Sequence, residues 1–305
     1  MASQAFGTQL ARYGPDSSHA GTLSVRDARR YCRQLARCHY ENFTVASWML
    51  PHQVRQHFCN IYAYCRWADD LADETGDRAL SLDLLDWWQD ELNECFAGRT
   101  THPVFVALRD TIDEFSIPQT PLADLLVAFG QDQHQTRYQT LDDLLDYCRH
   151  SANPVGHLVL YLGRCHDEQR GELSDSICTG LQLANFCQDI ARDYGQGRIY
   201  IPIEVCQTFA CGEEEFAAAR SSEAFRRMLA SEVDRAERFL HAGSPLVELV
   251  PRWLQIDLDL YVRGGLAILQ AIRDIRYDVL TRRPAIGRWT RLRLLLSTWW
   301  RRRGG

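Results

Sequence analysis

Residues 61–74 read IYAYCRWADDLADE, a run that places two carboxylates on a helix face that should point inward. Asp69 and Asp73 are four residues apart and therefore share one face. Helical steps back from Asp69 reach an apolar stripe of the kind that packs into a core. The members of this stripe are Cys65, Tyr62, Ile61 and Phe58. Because buried carboxylates without partners are costly, we expect basic side chains or metal ions to neutralise them.

A second run, LQLANFCQDIARDYGQGRIYIP at residues 181–202, repeats this pattern. Asn185, Asp189 and Asp193 follow each other at i, i+4 and i+8 and continue an apolar row, and Gln182 lies on an adjacent track. An amide with carboxylates suits magnesium, which prefers oxygen ligands and leaves some positions to water and substrate phosphate. For either run alone, a solvated acidic face with Arg partners is an equal alternative. Two such rows in one helical chain favour the metal site.

Helical spacing recurs along most of the chain, and no strand pattern stands out. Ser24 followed by Asp27 is typical of a capping box that begins a helix ending near His39. Further helices are predicted over about 79–97, 103–115, 121–137, 140–150, 171–193, 221–240 and 257–281. We therefore expect a disordered stretch at residues 1–22, one all-α domain over 23–283, and a basic and aromatic tail at 284–305.

All 34 basic residues are Arg, and the chain contains no Lys. Without a side-chain amine, lysine-based aldol and pyridoxal chemistry are excluded. A Walker-type P-loop also requires its Lys, so that design for nucleotide hydrolysis is excluded. Any phosphate must be held by Arg, by backbone amides or through metal ions.

The net charge of −6 gives no overall field that favours nucleic acid, so no nucleic-acid partner is expected. No apolar run reaches the roughly 18 residues of a membrane-spanning helix. The first residues lack the apolar core of a signal peptide, which predicts a cytoplasmic location. The 11 Cys are scattered without a C-x-x-C pair, so we expect reduced, mostly buried thiols and no zinc site.

These motifs together resemble those of the squalene and phytoene synthases, the head-to-head branch of the all-α isoprenoid synthases, over about residues 26–283. The matching runs are DDLAD from Asp69 with Tyr62 and Arg66 upstream, QLANFCQDIARDYGQGRIYIP from Gln182, ENFTVAS from Glu41, and YCRHSANPVG from Tyr147. The resemblance implies one large helical bundle with a central active-site cavity. It also implies a prenyl diphosphate substrate and Mg²⁺ bound through its diphosphate. The implied metal ligands are Asp69, Asp70, Asp73, Asn185, Asp189 and Asp193.

The resemblance also assigns roles to individual side chains. Tyr62 and Arg66 join the Asp residues in catalysis, with Arg66 and Arg198 contacting the diphosphate. The implied substrate-binding residues are Asn42, Phe43, Arg66, Val155, Gly156, Gln182, Asn185, Arg198 and Tyr200, with Val45 and Leu183 as further tunnel-wall candidates. Plainer alternatives remain. Arg66 pairs with Asp69 or Asp70 on its own helix, Gly156 only starts a helix, and the aromatic residues belong to the core.

Within the family, ENFTVAS, HPVFVAL, SANPVG and LANFCQD most resemble hydroxysqualene synthases of the bacterial hopanoid pathway. Those enzymes expel diphosphate from presqualene diphosphate and let water capture the rearranged cation. Tyr40, Asn42, Gln188 and Gly265 depart from the pattern of members that condense two prenyl diphosphates. No nicotinamide fingerprint is present, so NADPH is not expected, although the reductases of this family also lack that motif. Condensation to presqualene or phytoene diphosphate is the alternative, and a non-catalytic helical scaffold is a distant one.

The C-terminal tail carries basic and aromatic residues around a short apolar run. After Asp278 there is no acidic residue, while Trp289, Trp299 and Trp300 stand among eight Arg. Such a pattern is typical of an interfacial membrane segment, and it is too short to span a bilayer. We expect peripheral contact with the inner membrane surface. A terminal helix packed on the domain is the alternative.

Overall fold

The computed structural model describes residues 2–17, 23–38, 51–218 and 220–285, and within these ranges it contains helices and no strand. The prediction of an all-α fold is confirmed. Contacts divide the chain into two compact units, Met1–His134 and Gln135–Gly305, although the sequence showed no boundary there.

The first unit contains six helices among the described residues. They are α1 (Ala2–Tyr13), α2 (Val25–Cys38), α3 (His52–Asp73), α4 (Arg78–Phe96), α5 (Pro103–Phe115) and α6 (Thr120–Asp132). Helix α3 contacts α2, α4, α5 and α6, so it is the central helix of this unit. On α3, the Trp67 ring stacks on Trp88 of α4 with centroids 5.3 Å apart, and both rings are almost fully buried. This packing fixes the helix that carries the first acidic row.

The N-terminal stretch differs from the prediction of disorder over residues 1–22. Residues 2–13 form α1, and the Phe6 ring packs edge-on against Trp67 with centroids 5.6 Å apart. The Tyr31 hydroxyl of α2 donates a hydrogen bond to Gln9 Oε1 at 3.0 Å. A few isolated anchors hold α1, and they form no periodic apolar stripe, which is why the sequence pattern did not reveal the helix.

The second unit contains seven α-helices and one short 3₁₀ helix among the described residues. They are α7 (Leu141–Ser151), α8 (Asn153–Leu162), α9 (Glu168–Gly195), α10 (Ile203–Thr208), the 3₁₀ helix Glu213–Glu215, α11 (Glu223–Gly243), α12 (Leu246–Leu249) and α13 (Arg252–Asp274). Helix α9 is the longest and packs against α7, α8, α11, α12 and α13. It carries the second acidic row.

Glycines allow α9 and α11 to approach closely. A Cβ atom on Gly180 of α9 would lie 2.9 Å from the backbone nitrogen of Leu240. A Cβ atom on Gly243 of α11 would lie 2.5 Å from the backbone oxygen of Leu173. Since a backbone atom cannot move aside as a flexible side chain can, only glycine fits these two positions.

Helix boundaries follow the predicted pattern in outline, but the short helices α10 and α12 were not predicted, and α13 begins earlier than expected, at Arg252. Helix α8 was not predicted because Pro154 was interpreted as a break, whereas it lies in the first turn, where proline is tolerated. Helix α6 ends at Asp132 and α13 at Asp274, both short of the expected ends. Ser24 is confirmed as the residue that caps α2, because its Oγ accepts a hydrogen bond from the Asp27 backbone N–H at 3.2 Å, while the Asp27 carboxylate accepts one from the Ser24 hydroxyl.

The predicted C-terminal tail lies mostly outside the described residues, which end at position 285. Pro284 is buried, and its carbonyl accepts a hydrogen bond from Gln188 Nε2 at 2.7 Å. Among the described helices, none has both the length and the apolarity needed to cross a bilayer.

We predict that Gly180→Ala lowers the free energy of unfolding by about 1–3 kcal/mol, because the added methyl group forces α9 and α11 apart. The matched control is Gly264→Ala in α13, where a Cβ atom meets nothing within 4 Å. That change should be neutral or stabilise by up to about 1 kcal/mol through helix propensity. Denaturant unfolding measures both variants. Equal stability of the two would contradict the close approach.

Candidate active site

The first acidic row lies in the last two turns of α3, where Arg66 binds two carboxylates of its own helix. Its Nη1 donates to Asp69 Oδ2 at 2.9 Å, and its Nη2 donates to Asp70 Oδ1. Asp70 is 7% exposed and is the buried member, whereas the Asp69 side chain is 43% exposed and Asp73 is exposed. The prediction that Asp69 and Asp73 face inward is therefore wrong for Asp73. The row follows the border of the buried face.

The electrostatic environment of this row favours an additional cation. Burial raises the pKa of Asp69 to about 6; Arg66 opposes this shift, and the nearby charge of Asp73 adds to it. Burial also raises the pKa of the Tyr62 hydroxyl, which lies one turn before Arg66. The third guanidinium nitrogen of Arg66, Nε, is buried and has no hydrogen-bond partner among the described residues. One Arg therefore compensates the carboxylates only in part.

The second acidic row lies along α9. Asp189 accepts two hydrogen bonds from Arg283, 2.7 Å from Nε to Oδ1 and 3.0 Å from Nη2 to Oδ2. Asp193, one turn further, is half-buried, and burial together with the charge of Asp189 raises its pKa to about 6. Asn185 is exposed, and Gln182 is half-buried. In the second row, as in the first, one Arg side chain already binds a carboxylate without a ligand present: Arg283 binds Asp189.

Arg283 stands at the end of the predicted domain, and its sequence context does not point to the site. The Arg283–Asp189 and Gln188–Pro284 contacts each join residues more than 90 positions apart. No local sequence pattern therefore indicates either contact. In the structure, the segment that follows α13 crosses α9 at the second acidic row, where Arg283 and Pro284 contact Asp189 and Gln188. A search for Arg near the acidic runs in the sequence finds Arg192 and Arg198 and misses Arg283.

Arg198 follows a tight turn at the end of α9. Gly197 has a φ of 80°, which favours glycine, and the Arg198 backbone N–H donates to the Asp193 carbonyl at 2.8 Å. Arg137 Nη1 donates to the carbonyls of Gly197 at 2.6 Å and Thr136 at 2.8 Å. Arg137 is therefore a positioning residue that sequence reasoning missed, since its contacts with Gly197 and Glu213 join residues 60 and 76 positions apart.

Tyr200 lies in an aromatic cluster. Its ring stacks on Phe186 with centroids 4.0 Å apart, and Tyr138 and Tyr147 lie within 6 Å. Tyr200 also lines a small cavity together with Asp193 and Arg198. The structure thus gives this residue a packing role next to the second acidic row, in agreement with the plainer alternative from the sequence.

These arrangements agree with comparisons with known proteins. A sequence profile of the squalene/phytoene synthase family matches residues 36–290, most of the chain. The chain belongs to this family. Squalene/phytoene synthases are enzymes of isoprenoid biosynthesis that act on prenyl diphosphates, so the acidic rows lie in an enzyme of that class.

Relatives with different reactions are similar to this squalene/phytoene synthase. It is 36% identical to the hydroxysqualene synthase of Sinorhizobium fredii over 217 residues, covering 69% of this chain and 71% of the relative. It is 29% identical to the phytoene synthase of Arthrospira platensis over 286 residues, covering 88% and 91%. The crystal structure of squalene synthase HpnC from Alicyclobacillus acidocaldarius is 45% identical, with a TM-score of 0.80 and coverage of 83% and 95%.

The predicted tunnel-wall residues have different environments in this squalene/phytoene synthase. Leu183 is buried, whereas Val155 is 45% exposed. At Gly156, a Cβ atom would lie 2.2 Å from Ser174 Oγ and 2.7 Å from Cys178 Sγ, so glycine permits close packing of α8 on α9 and does more than start a helix. Asn42, Phe43 and Val45 lie outside the described residues, as does Tyr40.

The donor atoms fit magnesium. Each row offers carboxylate oxygens, the ligands that Mg²⁺ prefers, and burial has raised the pKa of one carboxylate in each row. Among the described residues, no group of three or more His, Cys, Asp or Glu is arranged as a complete metal site. Magnesium is usually held by one or two carboxylates, with water and substrate phosphate supplying the other ligands. The residues fit a metal that arrives with the diphosphate.

We predict that Asp193→Asn raises the melting temperature of the ligand-free enzyme at pH 7.5. Because the pKa of Asp193 is raised to about 6, its ionised form destabilises the fold, and this destabilisation develops as the pH rises through about 4 to 6. The difference from the unsubstituted enzyme should therefore vanish near pH 4, and calorimetric scans across this range measure it.

The control for this prediction is Asp143→Asn in α7. Hydrogen bonds from the Thr140 backbone and side chain lower the pKa of Asp143, so its loss should reduce stability at pH 7.5. If Asp193→Asn destabilised the enzyme at pH 7.5 as Asp143→Asn does, the account of an uncompensated acidic row would be contradicted.

Proposed function

We propose that this enzyme is a hydroxysqualene synthase, which converts presqualene diphosphate and water into hydroxysqualene and diphosphate. The observation that carries the proposal is the pair of acidic rows, each with one guanidinium already bound to its carboxylates. Such rows suit a reaction whose barrier is the departure of a single diphosphate. The similarity to two relatives named hydroxysqualene synthase supports the choice of substrate.

Gln188 supports a substrate with one diphosphate. It stands beside Asp189, where the resemblance to condensing members leads us to expect Arg. Its amide is 9% exposed and donates to the Pro284 carbonyl, so it is neutral and already engaged. A condensing enzyme must hold two diphosphates, and this position supplies no charge for the second.

The chain's own residues bind and orient the leaving group. We assign Asp69, Asp73, Asp189 and Asp193, with Asp70 and Asn185, to holding magnesium, which supplies positive charge to the leaving diphosphate when bound. Arg66 and Arg198 contact the diphosphate oxygens, since the guanidinium fork matches phosphate geometry. Tyr62 donates a hydrogen bond to the same oxygens. When Asp189 binds the metal, Arg283 is released from that carboxylate and donates hydrogen bonds to the diphosphate as well.

The reaction breaks the substrate C–O bond, and its electron pair leaves with the diphosphate. The resulting carbocation rearranges, water adds to it, and the added water loses a proton. No reductant takes part, so we propose that NADPH is not needed. Leu183 and Phe186 are buried beside the second row and keep bulk water away from that end of the substrate.

Condensation of two prenyl diphosphates is the second candidate. The phytoene synthase of Arthrospira platensis aligns with 88% of this chain, against 69% for the hydroxysqualene synthase of Sinorhizobium fredii, and this wider coverage favours it. Its identity is lower, at 29% against 36%. We place it second because two relatives named hydroxysqualene synthase each share 36% identity with this chain.

Incubation with single substrates separates the two candidates. With magnesium and without NADPH, we predict hydroxysqualene from presqualene diphosphate and no product from farnesyl diphosphate alone, as measured by mass spectrometry. Asp69→Ala should reduce turnover by at least about 100-fold, the scale seen when one charge-stabilising group is lost. Its control is Asp83→Ala, an exposed position on α4. Product from farnesyl diphosphate alone, or full magnesium-dependent turnover by Asp69→Ala, would contradict the proposal.

We also propose that residues 284–305 bring the enzyme to the inner membrane surface, where its lipid substrate and product reside. Truncation after Ala285 keeps the Arg283 and Pro284 contacts with α9. The truncated enzyme should bind anionic vesicles less than the full chain in co-sedimentation. Equal binding of both would contradict this role of the tail.

A further inference from the structure

A cavity of about 710 Å³ lies in the second unit between the first turns of α11 and the turn that follows α13. Its volume falls within the usual range of small-molecule sites. The charged residues that line it are Arg226, Arg227, Arg273, Arg276, Arg282, Glu223 and Asp278, with Tyr277 among them. None of these residues belongs to either acidic row.

Two of the five Arg build the wall of the cavity. Arg226 donates through Nε to the Ser221 carbonyl at 3.2 Å and through Nη1 to the Arg276 carbonyl. Arg273 binds Asp234 at 2.8 Å and Glu237 at 2.6 Å. Their charges are used within the fold.

The other three Arg are unengaged. Arg227, Arg276 and Arg282 are exposed, and their side chains have no hydrogen bond or ion pair with any residue that the structure describes. Asp278 accepts hydrogen bonds from Ser221 and Thr281, and its negative charge lies 3.9 Å from Arg226 Nη2. The five Arg of the lining are opposed by Glu223 and Asp278, and by Asp234 and Glu237 at Arg273, which leaves a local excess of one positive charge in a chain whose net charge is −6.

The backbone fixes this arrangement. Arg276 and Tyr277 have φ values of 54° and 59°, the left-handed region that non-glycine residues rarely adopt. Their backbone N–H groups donate to the Arg273 carbonyl at 2.8 Å and the Ile272 carbonyl at 2.9 Å, which holds the turn. Two consecutive residues in this region cost free energy and persist only where their surroundings define them. The turn brings Arg276 to the same cavity as Arg227.

We propose that this cavity binds a phosphate group carried by a small polar ligand. Guanidinium forks match phosphate oxygens, and a phosphate monoester carries roughly −1.5 to −2 charges near neutral pH, which complements the local excess. The volume accommodates more than a phosphate ion, so a phosphoglycerol group fits. Such a group comes from the head of an anionic phospholipid or from a soluble phosphate ester.

The test compares two double variants of the full chain with equal change in net charge. The cavity variant is Arg227→Gln with Arg276→Asn, since Asn tolerates the left-handed backbone. The control variant is Arg149→Gln with Arg238→Gln, two exposed Arg of the same unit outside the cavity. Arg238 lies three helical turns after Arg227 on the same face of α11. All four side chains are exposed, so circular dichroism and the melting temperature should stay unchanged.

Two probes distinguish the sources of the phosphate. For phosphatidylcholine vesicles that contain phosphatidylglycerol, we expect the cavity variant to bind on the order of 30-fold more weakly than the unsubstituted enzyme, from two lost charges at an anionic surface. The control variant should bind clearly better than the cavity variant. Glycerol 3-phosphate, titrated by calorimetry, is the soluble probe.

A selective loss of vesicle binding assigns the site to a lipid head group. Selective loss of glycerol 3-phosphate binding, with equal vesicle binding, assigns it to a soluble phosphate ester. If the cavity and control variants behave alike with both probes, the proposed phosphate site does not exist.

Discussion

Carboxylates at the edge of a helical core must be compensated, and this constraint shapes both units. In the first unit Arg66 binds Asp69 and Asp70 on its own helix, and in the second Arg283 reaches Asp189 from beyond α13. The compensation is incomplete, as the raised pKa values of Asp69 and Asp193 show. We propose that a cation arriving with an anionic ligand completes it. The ligand-free enzyme is therefore destabilised at the acidic residues to which we assign the metal-binding role.

The sequence predicts those features whose physical cause is local. Helical spacing identified the two acidic rows and most helices, and Ser24 was correctly identified as a cap. Features that depend on contacts between residues distant in the sequence could not be predicted. Arg137 and Arg283 have no local pattern, and α1 is held by separate aromatic contacts. Asp73 was predicted to face inward, but it is exposed. Helical spacing shows which residues share a face, but it does not show where along the helix that face stops being buried.

Family and reaction rest on different observations. The whole set of motifs, the helical fold and the profile match agree on the squalene/phytoene synthase family. The proposed reaction rests on a few positions, such as the neutral Gln188 next to Asp189, whose amide is bound to Pro284, and on similarity to relatives named hydroxysqualene synthase or phytoene synthase. Since Asn42 and Phe43 lie outside the described residues, the structure informs this choice mainly through α9 and the segment that crosses it.

Thermal unfolding with magnesium, with inorganic diphosphate, and with both together most directly tests whether the acidic rows await a metal-bound diphosphate. The account predicts a small change in melting temperature with either alone and a clear rise with both, because ligand binding to the folded state stabilises it. The rise should be absent in an enzyme carrying Asp69→Asn and Asp189→Asn. No rise with both ligands, or an equal rise in that variant, would contradict the account.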